Sequence, residues 1–338
     1  MKHLLLSGFL YCTASSIAQN IDSGLVAHYR LDGNAIEATG QCNSGQVNSV
    51  EPAWDSCARP AHAMMFNGTS SFIEVPSCSA LNPSSELSIC AWVKPLGFNT
   101  GGCQVNAIAW KGLEEEPGHY GIGYMDTDFD CDSLGPYQQF FFQLTSGDAS
   151  TSSWTAIFSL FARPSVNEWY FVVGTYDGAD MMLYVNGILD GFGSHNWPPS
   201  GDAGNFFIGN GSDSSNPSYL NGLVDEVRIY NRALSDGDVM LLYSQLCSGV
   251  GLNQHLQQVS SAFVPNPATG RTTFTHDLLL GDISFEMFNV TGERMSTAEL
   301  HQQNGELQLD VSSFPNGVYV YMISSGFERW SGKLMVLH

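Results

Sequence analysis

The most distinctively spaced polar residues are four aspartates in the stretch MDTDFDCDS: Asp126, Asp128, Asp130 and Asp132. They alternate, so an extended backbone places their carboxylates on one face, with Phe129 and Cys131 on the other. Four like charges this close repel unless water or a cation screens them. Ca²⁺, which takes six to eight oxygen ligands, suits such a run. The run is therefore a candidate Ca²⁺ site, with a solvated acidic loop as the alternative. It is not an EF-hand, because Cys131 stands where the sixth loop position needs Gly and Tyr137 where the twelfth needs Glu. Asp32 and Asp213 are subsidiary candidates.

A second chemistry is sugar stacking, which needs an exposed aromatic ring and a few polar groups to fix orientation. Trp197 in GSHNWPPSG, Tyr137 in LGPYQQ and Trp154 in STSSWTA are flanked by loop-type residues. His119 and His195 lie in loop-type segments with aromatics nearby, and either could hydrogen-bond a sugar. For each of the five the alternative is ordinary loop packing or exposure. Trp92, Trp169 and Phe171 sit in strand patterns and are expected in the core. Hydrolytic and nucleotide motifs are missing: there is no G-x-S-x-G, H-E-x-x-H, P-loop or G-x-G-x-x-G. Asp225 and Glu226 are adjacent, so a regular strand would point them to opposite faces. Glu114, Glu115 and Glu116 precede Pro117-Gly118 and read as a solvated charge run.

Bulk charge narrows the partners. Lys and Arg number 12 against 33 Asp and Glu, a net charge of −21. Phosphate binding needs clustered cations, so nucleic acid and anionic lipid are excluded as expected partners. The chain has 338 residues, enough for two domains, and 43% hydrophobic residues, enough for a real core. Aromatics at 12%, charged residues at 13% and 35 glycines favour short strands joined by tight turns.

The elements that must position these residues read as antiparallel β. In NEWYFVVGTYDGADMMLYVNGIL, Asn167 to Leu189, Trp169, Phe171 and Val173 alternate with Tyr170, Val172 and Gly174. Asp177-Gly178 turns the chain, Met181 to Val185 forms the next strand, and Asn186-Gly187 fits a type I′ turn. Earlier, Leu25, Ala27 and Tyr29 alternate in GLVAHYRLDGN, followed by MMFNGTSSFIEVP (Met64 to Pro76) and LSICAWVKP (Leu87 to Pro95). In YLNGLVDEVRIYNRALSDGDVMLLY, Leu223 to Tyr230 reads as a strand, and Ser235-Asp236 caps a short helix through Leu242. Pro265 and Pro267 mark a boundary, after which Ile283 to Asn289, Leu307 to Leu309 and Gly317 to Ile323 alternate as short strands. These support a small β-sandwich over residues 264–338.

These stretches, in this order, resemble LamG-like (laminin G, concanavalin A-like) jelly rolls from Ser23 to Cys247. The resemblance implies an all-β fold, a concanavalin A-like jelly-roll β-sandwich, within a group dominated by binding and adhesion modules. It also implies a test for catalysis, since glycosidases of this fold carry E-x-D-x-x-E on one strand face; no such strand occurs here. Related modules often hold Ca²⁺ near the ligand rim. The PNP start, the F-N-V-T-G-E turn, LDVSSFPNGVYVYMI (Leu309 to Ile323) and Lys333 resemble a type IX secretion C-terminal sorting domain. That family implies a small Ig-like β-sandwich that addresses the chain to the type IX machinery and is usually removed at the outer surface.

Residues Met1 to Ala18 resemble a secretory signal peptide, with Lys2, the apolar run Leu4 to Tyr11 and the small-residue site Ser16-Ile17-Ala18. That run falls short of the roughly 20 residues a membrane span needs, and no later segment is apolar enough to span. The expected organisation is signal peptide 1–18, jelly roll 19–248, linker 249–263 and sorting domain 264–338. In an exported chain disulfides are the default. The expected pairs are Cys42 with Cys57, Cys103 with Cys131 and Cys78 with Cys247, out of about 15 connectivities six cysteines allow; Cys90, inside a strand, is left as a buried thiol. The functional expectation is a non-catalytic binding module, for glycan, secreted from or attached to the outer surface of a Gram-negative cell. The alternatives are a structural or protein-binding adhesin and a divergent glycosidase or polysaccharide lyase.

Overall fold

The computed structural model describes residues 20–98, 105–113, 116–125, 138–146, 153–195, 202, 204–211, 218–245, 263–274, 283–289, 294–295, 300–303, 306–325 and 328–338. The expected signal peptide, the expected linker apart from Phe263, Tyr137, Trp197, the four alternating aspartates, Asp213, Cys103, Cys131 and Cys247 lie outside the described residues.

The strands follow one another closely. The first group is β1 (Leu25–Tyr29), β2 (Gln46–Asn48), β3 (Glu51–Ala53), β4 (Ala63–Asn67), β5 (Phe72–Val75) and β6 (Leu87–Pro95). Then come β7 (Asn106–Lys111), β8 (Tyr120–Met125), β9 (Gln139–Ser146), β10 (Ser153–Phe158) and β11 (Tyr170–Tyr176). The last are β12 (Asp180–Val185), β13 (Ile188–Ser194), β14 (Phe206–Ile208), β15 (Asn221–Tyr230) and the helix α1 (Asp236–Gln245). An eight-stranded sheet runs β13-β12-β11-β6-β15-β4-β3, with β1 also on β15. A seven-stranded sheet runs β10-β9-β8-β7-β14-β5-β2. Every pair is antiparallel. The sheets share one core, to which alternate residues of both contribute, among them Ile89, Ala91 and Val172 from one sheet and Tyr120, Ile122 and Phe142 from the other.

Local chemistry accounts for the joints. Asn186 and Gly187 have φ of 54° and 82°, the pair of left-handed residues a type I′ turn needs, and Val185 pairs with Ile188 across it. The Asn186 side chain also accepts the Phe171 N–H at 2.9 Å. At the start of α1, Ser235 Oγ accepts the Asp238 N–H while Asp238 Oδ2 accepts the Ser235 N–H, a reciprocal capping box. This helix covers the outer face of the eight-stranded sheet: Tyr243 stacks on Trp92 with ring centroids 5.5 Å apart, and Phe171 lies beneath. Trp92 and Phe171 are thus buried on the helix side of their sheet.

The tail holds β16 (Phe263–Val264), β17 (Arg271–Phe274), β18 (Ile283–Asn289), β19 (Leu300–Gln303), β20 (Glu306–Asp310), β21 (Gly317–Ser325) and β22 (Glu328–Val336). They form a four-stranded sheet β16-β17-β20-β19 and a three-stranded sheet β18-β21-β22 around a second core that includes Phe263, Phe274, Leu309, Tyr321 and Leu334. The all-β expectation, a jelly roll followed by a small sandwich, holds.

The expected disulfides need correction. Cys42 is bonded to Cys78, closing 36 residues of sequence, so neither Cys42–Cys57 nor Cys78–Cys247 forms. Asn43 explains the choice: its amide donates to the Pro76 and Ser77 carbonyls, laying the loop after β1 against the segment after β5. Cys57 is itself disulfide-bonded. Cys90 is free and fully buried, and burial pushes its thiol up to about 12.

Candidate functional site

The outer face of the seven-stranded sheet carries the densest array of aromatic and polar side chains. Register places Glu74, Phe207, Trp110, Gly121, Gln143 and Ala156 in one line across six strands. A neighbouring line holds Ala107, Gly123, Phe141 and Phe158. The glycines are required: a Cβ on Gly121 would sit 2.6 Å from the Trp110 ring, and one on Gly123 2.6 Å from the Phe141 ring. The two rings therefore lie across bare backbone, edge to face at 6.1 Å.

His119 belongs to this stack rather than to a binding edge. It is fully buried, 4.8 Å from Trp110, donates from Nδ1 to the Lys111 carbonyl at 2.7 Å and accepts from the Gln143 amide at 2.9 Å. Burial pushes its pKa down to about 3. Both ring nitrogens are used, so the expectation that His119 contacts sugar is corrected: it is a neutral structural histidine. His195 is also buried, 2.8 Å from Thr155 Oγ1 through Nδ1, and burial lowers its pKa. It braces β10 against the end of β13, so its expected sugar contact is corrected too.

The centre of the face is closed, and its two flanks are open. At one edge Trp154 stands 47% exposed on β10. At the other, half-buried Phe72, Phe207 and Tyr219 cluster at 6.3 Å spacings. Beside them Glu74 accepts from the Asn205 amide at 2.6 Å, and Asn210 Oδ1 is buried with no hydrogen-bond partner. The adjoining corner is built on Lys111, whose buried ammonium donates to Asp202 at 2.7 Å and to the Gly204 carbonyl. That hydrogen bond holds the Asp202 carboxyl down at about 2. Sequence reasoning missed Phe72, Phe207, Tyr219 and Trp110, because they sit in strand patterns; the alternating glycines of Tyr120-Gly121-Ile122-Gly123-Tyr124 were the available signal.

The acidic pair of β15 lies on the opposite sheet. Asp225 pairs with Trp92, then the register slips and Arg228 pairs with Cys90. Glu226 takes φ +53° within this bulge. The expected opposite orientation of Asp225 and Glu226 is thereby overturned, since a bulge inserts an unpaired residue and breaks the alternation. Glu226 is held by His28 at 2.8 Å and Arg228 at 2.5 Å. Asp225 is 1% exposed, its Oδ2 has no partner, and burial, with Glu226 and Asp55 nearby, pushes its pKa up to about 9. A closed, protonated acid beside an ion-paired one is not an acid–nucleophile pair. Trp54, 61% exposed and next to Asp55, is a further surface aromatic near this corner. Among the described residues no group of three or more His, Cys, Asp or Glu is placed to hold a metal ion.

The profile of the Concanavalin A-like lectin/glucanases superfamily matches residues 67–240, more than half of the chain. The chain belongs to this superfamily. A secretion system C-terminal sorting domain matches residues 262–337, so the superfamily domain is cargo for export through the type IX machinery. No helix among the described residues is long and apolar enough to cross a membrane. Curated protein sequences contain no match. Among solved structures, the binding domain of Paraclostridial Mosquitocidal Protein 1 is similar at 15% identity and TM-score 0.51, over 90% of this chain and 65% of its own length. Domain 4 of the GH43 extracellular arabinanase AbnA from Geobacillus stearothermophilus, in complex with arabinotriose, is similar at 21% identity and TM-score 0.49. That match covers 65% of this chain and 98% of the arabinanase domain. At these identities the likeness is one of fold.

Proposed function

We propose that the protein is an exported, non-catalytic glycan-binding module that reads sugar on the outer face of its seven-stranded sheet. The observation that carries this reading is the pairing of part-exposed aromatics with a polar group at the flanks of that face: half-buried Phe72, Phe207 and Tyr219 beside Glu74, with exposed Trp154 at the far edge. Rings supply sugar stacking, and a few fixed polar groups supply orientation. Tyr137 and Trp197 as further stacking rings, and a Ca²⁺ on Asp126, Asp128, Asp130 and Asp132, stay part of the proposal on sequence grounds alone, since all six lie outside the described residues. A net charge of −21 favours neutral over anionic glycans. A closed, protonated Asp225 beside a paired Glu226 supports the non-catalytic part of the reading.

The test is binding of the full chain to a broad polysaccharide panel, with Ca²⁺ and with EDTA. Binding is expected with Ca²⁺, and its loss in EDTA supports a bound Ca²⁺. Silence across the panel overturns the reading in favour of a protein-binding adhesin. Release of reducing sugar overturns its non-catalytic part.

A further inference from the structure

In a small sandwich the outer face of an antiparallel sheet ordinarily meets water at every second residue. The tail sheet β18-β21-β22 departs from this. Val320 is 2% exposed, yet it joins the cluster of Met182, Tyr184 and Leu189 on the jelly roll and not the tail's own core. Register sets Phe288, Val320 and Lys333 side by side across the three strands, and each meets the jelly roll. The Phe288 ring stands edge-on to Phe161 at 5.7 Å. Lys333 lines a cavity of about 350 Å³ at the seam together with Asp177, Asp180 and Asp236.

The receiving surface is held in shape from within. Asp190, buried in β13, accepts the Phe161 and Ala162 N–H groups at 2.7 and 2.8 Å and so fixes the turn that presents Phe161. The Tyr184 hydroxyl donates to Asp236 at 2.6 Å, setting part of the acidic rim. An apolar centre with an acidic rim on one side faces an apolar row ended by a lysine on the other.

We propose that the sorting tail docks in cis as a removable cover over the outer face of β12–β13, through the Phe288–Val320–Lys333 row. Separating tail from jelly roll then uncovers a second interaction face on the cargo, centred on Met182, Leu189 and Phe192 and rimmed by Asp177, Asp180 and Asp236. This face lies on the opposite sheet from the glycan platform and does not depend on it. The occupant it fits is the chain's own tail: an apolar sheet face flanked by a cation, held by burial and steered by charge.

The experiment uses the full chain with a protease site introduced between Ser248 and Ala262, cleaved and run on size exclusion at low micromolar concentration. The cleaved tail is expected to co-elute with the jelly roll. Val320→Asp and, from the other side, Met182→Asp are expected to separate the fragments. Lys333→Glu, on the tail surface, is expected to weaken retention several-fold, an effect that high salt reproduces in the unmodified protein. Val320 lies outside the tail's own core, so a melting curve of Val320→Asp checks that the tail stays folded; Lys333→Glu decides the matter if it does not. Separation of the unmodified fragments on cleavage, or co-elution undiminished in both Val320→Asp and Lys333→Glu, overturns the proposal.

Discussion

The two sheets of the jelly roll are alike inside and opposite outside. Outside the eight-stranded sheet, α1 lies over Trp92 and Phe171 and the tail's Val320 joins the same cluster. Of the acidic pair on that side, Glu226 is locked by His28 and Arg228, and Asp225 is closed off from solvent. Outside the seven-stranded sheet, aromatics lie flat on glycines at the centre and emerge at both flanks. On the proposed function, one sheet is a mounting surface and the other a reading surface. Both inner faces feed one core, so the difference lies in the outer faces.

The strongest way to break this contrast is to remove the centre of the reading face. Trp110→Ala takes away a ring that is 4% exposed and leaves a hole over Gly121, at an expected cost of about 3–5 kcal/mol in denaturant unfolding. A cost below about 1 kcal/mol would mean that Trp110 is not a packing element.

Asp225→Asn probes the mounting side through pH. The folded Asp225 pKa is raised from 3.8 to about 9, so the folded state must take up a proton that the unfolded state has released. This group's stability contribution is full below the unfolded pKa and falls as pH rises through the window from 3.8 to about 9. The advantage of Asp225→Asn is therefore expected to be small near the acid end, to grow by on the order of 1 kcal/mol per pH unit, and to level off at the alkaline end. Thermal melts of both proteins across that window check it, and parallel curves would refute it.

Asp202→Asn should have a smaller effect. Its carboxyl is held down at about 2 by Lys111, so its contribution is present above 3.8 and lost as pH falls toward about 2. The carboxylate is half exposed, which limits the loss at neutral pH to under about 1 kcal/mol. Melts at neutral and acidic pH should differ between the two proteins at neutral pH and converge in acid.

Much of the frame was legible in the sequence because it depends on short-range chemistry. Asn186-Gly187 specifies its turn by backbone conformation alone, Ser235 caps α1 through its own side chain, and the alternation of β6 and β11 announces buried strands. What was not legible depends on distant partners. The bulge at Glu226 puts a non-glycine residue at positive φ, held by His28 nearly two hundred residues earlier in the chain. Cys42 finds Cys78 because Asn43 anchors the loop there, which no cysteine spacing reveals. His119 and His195 sit among turn-like residues yet are buried against side chains of other strands, Trp110 and Gln143 for the first and Thr155 and Tyr176 for the second. The reading face was missed because a ring lying on glycine and a ring in the core follow the same alternation.

The most direct measurement compares Phe207→Ala and Trp154→Ala with Met182→Asp for retention of the full chain on the polysaccharide that binds it best. Phe207 and Trp154 belong to the reading face, and Met182 to the mounting face. Loss of retention in the first two, with Met182→Asp unchanged, is the predicted result. Retention lost in Met182→Asp and kept in both ring variants would contradict the assignment of the two faces.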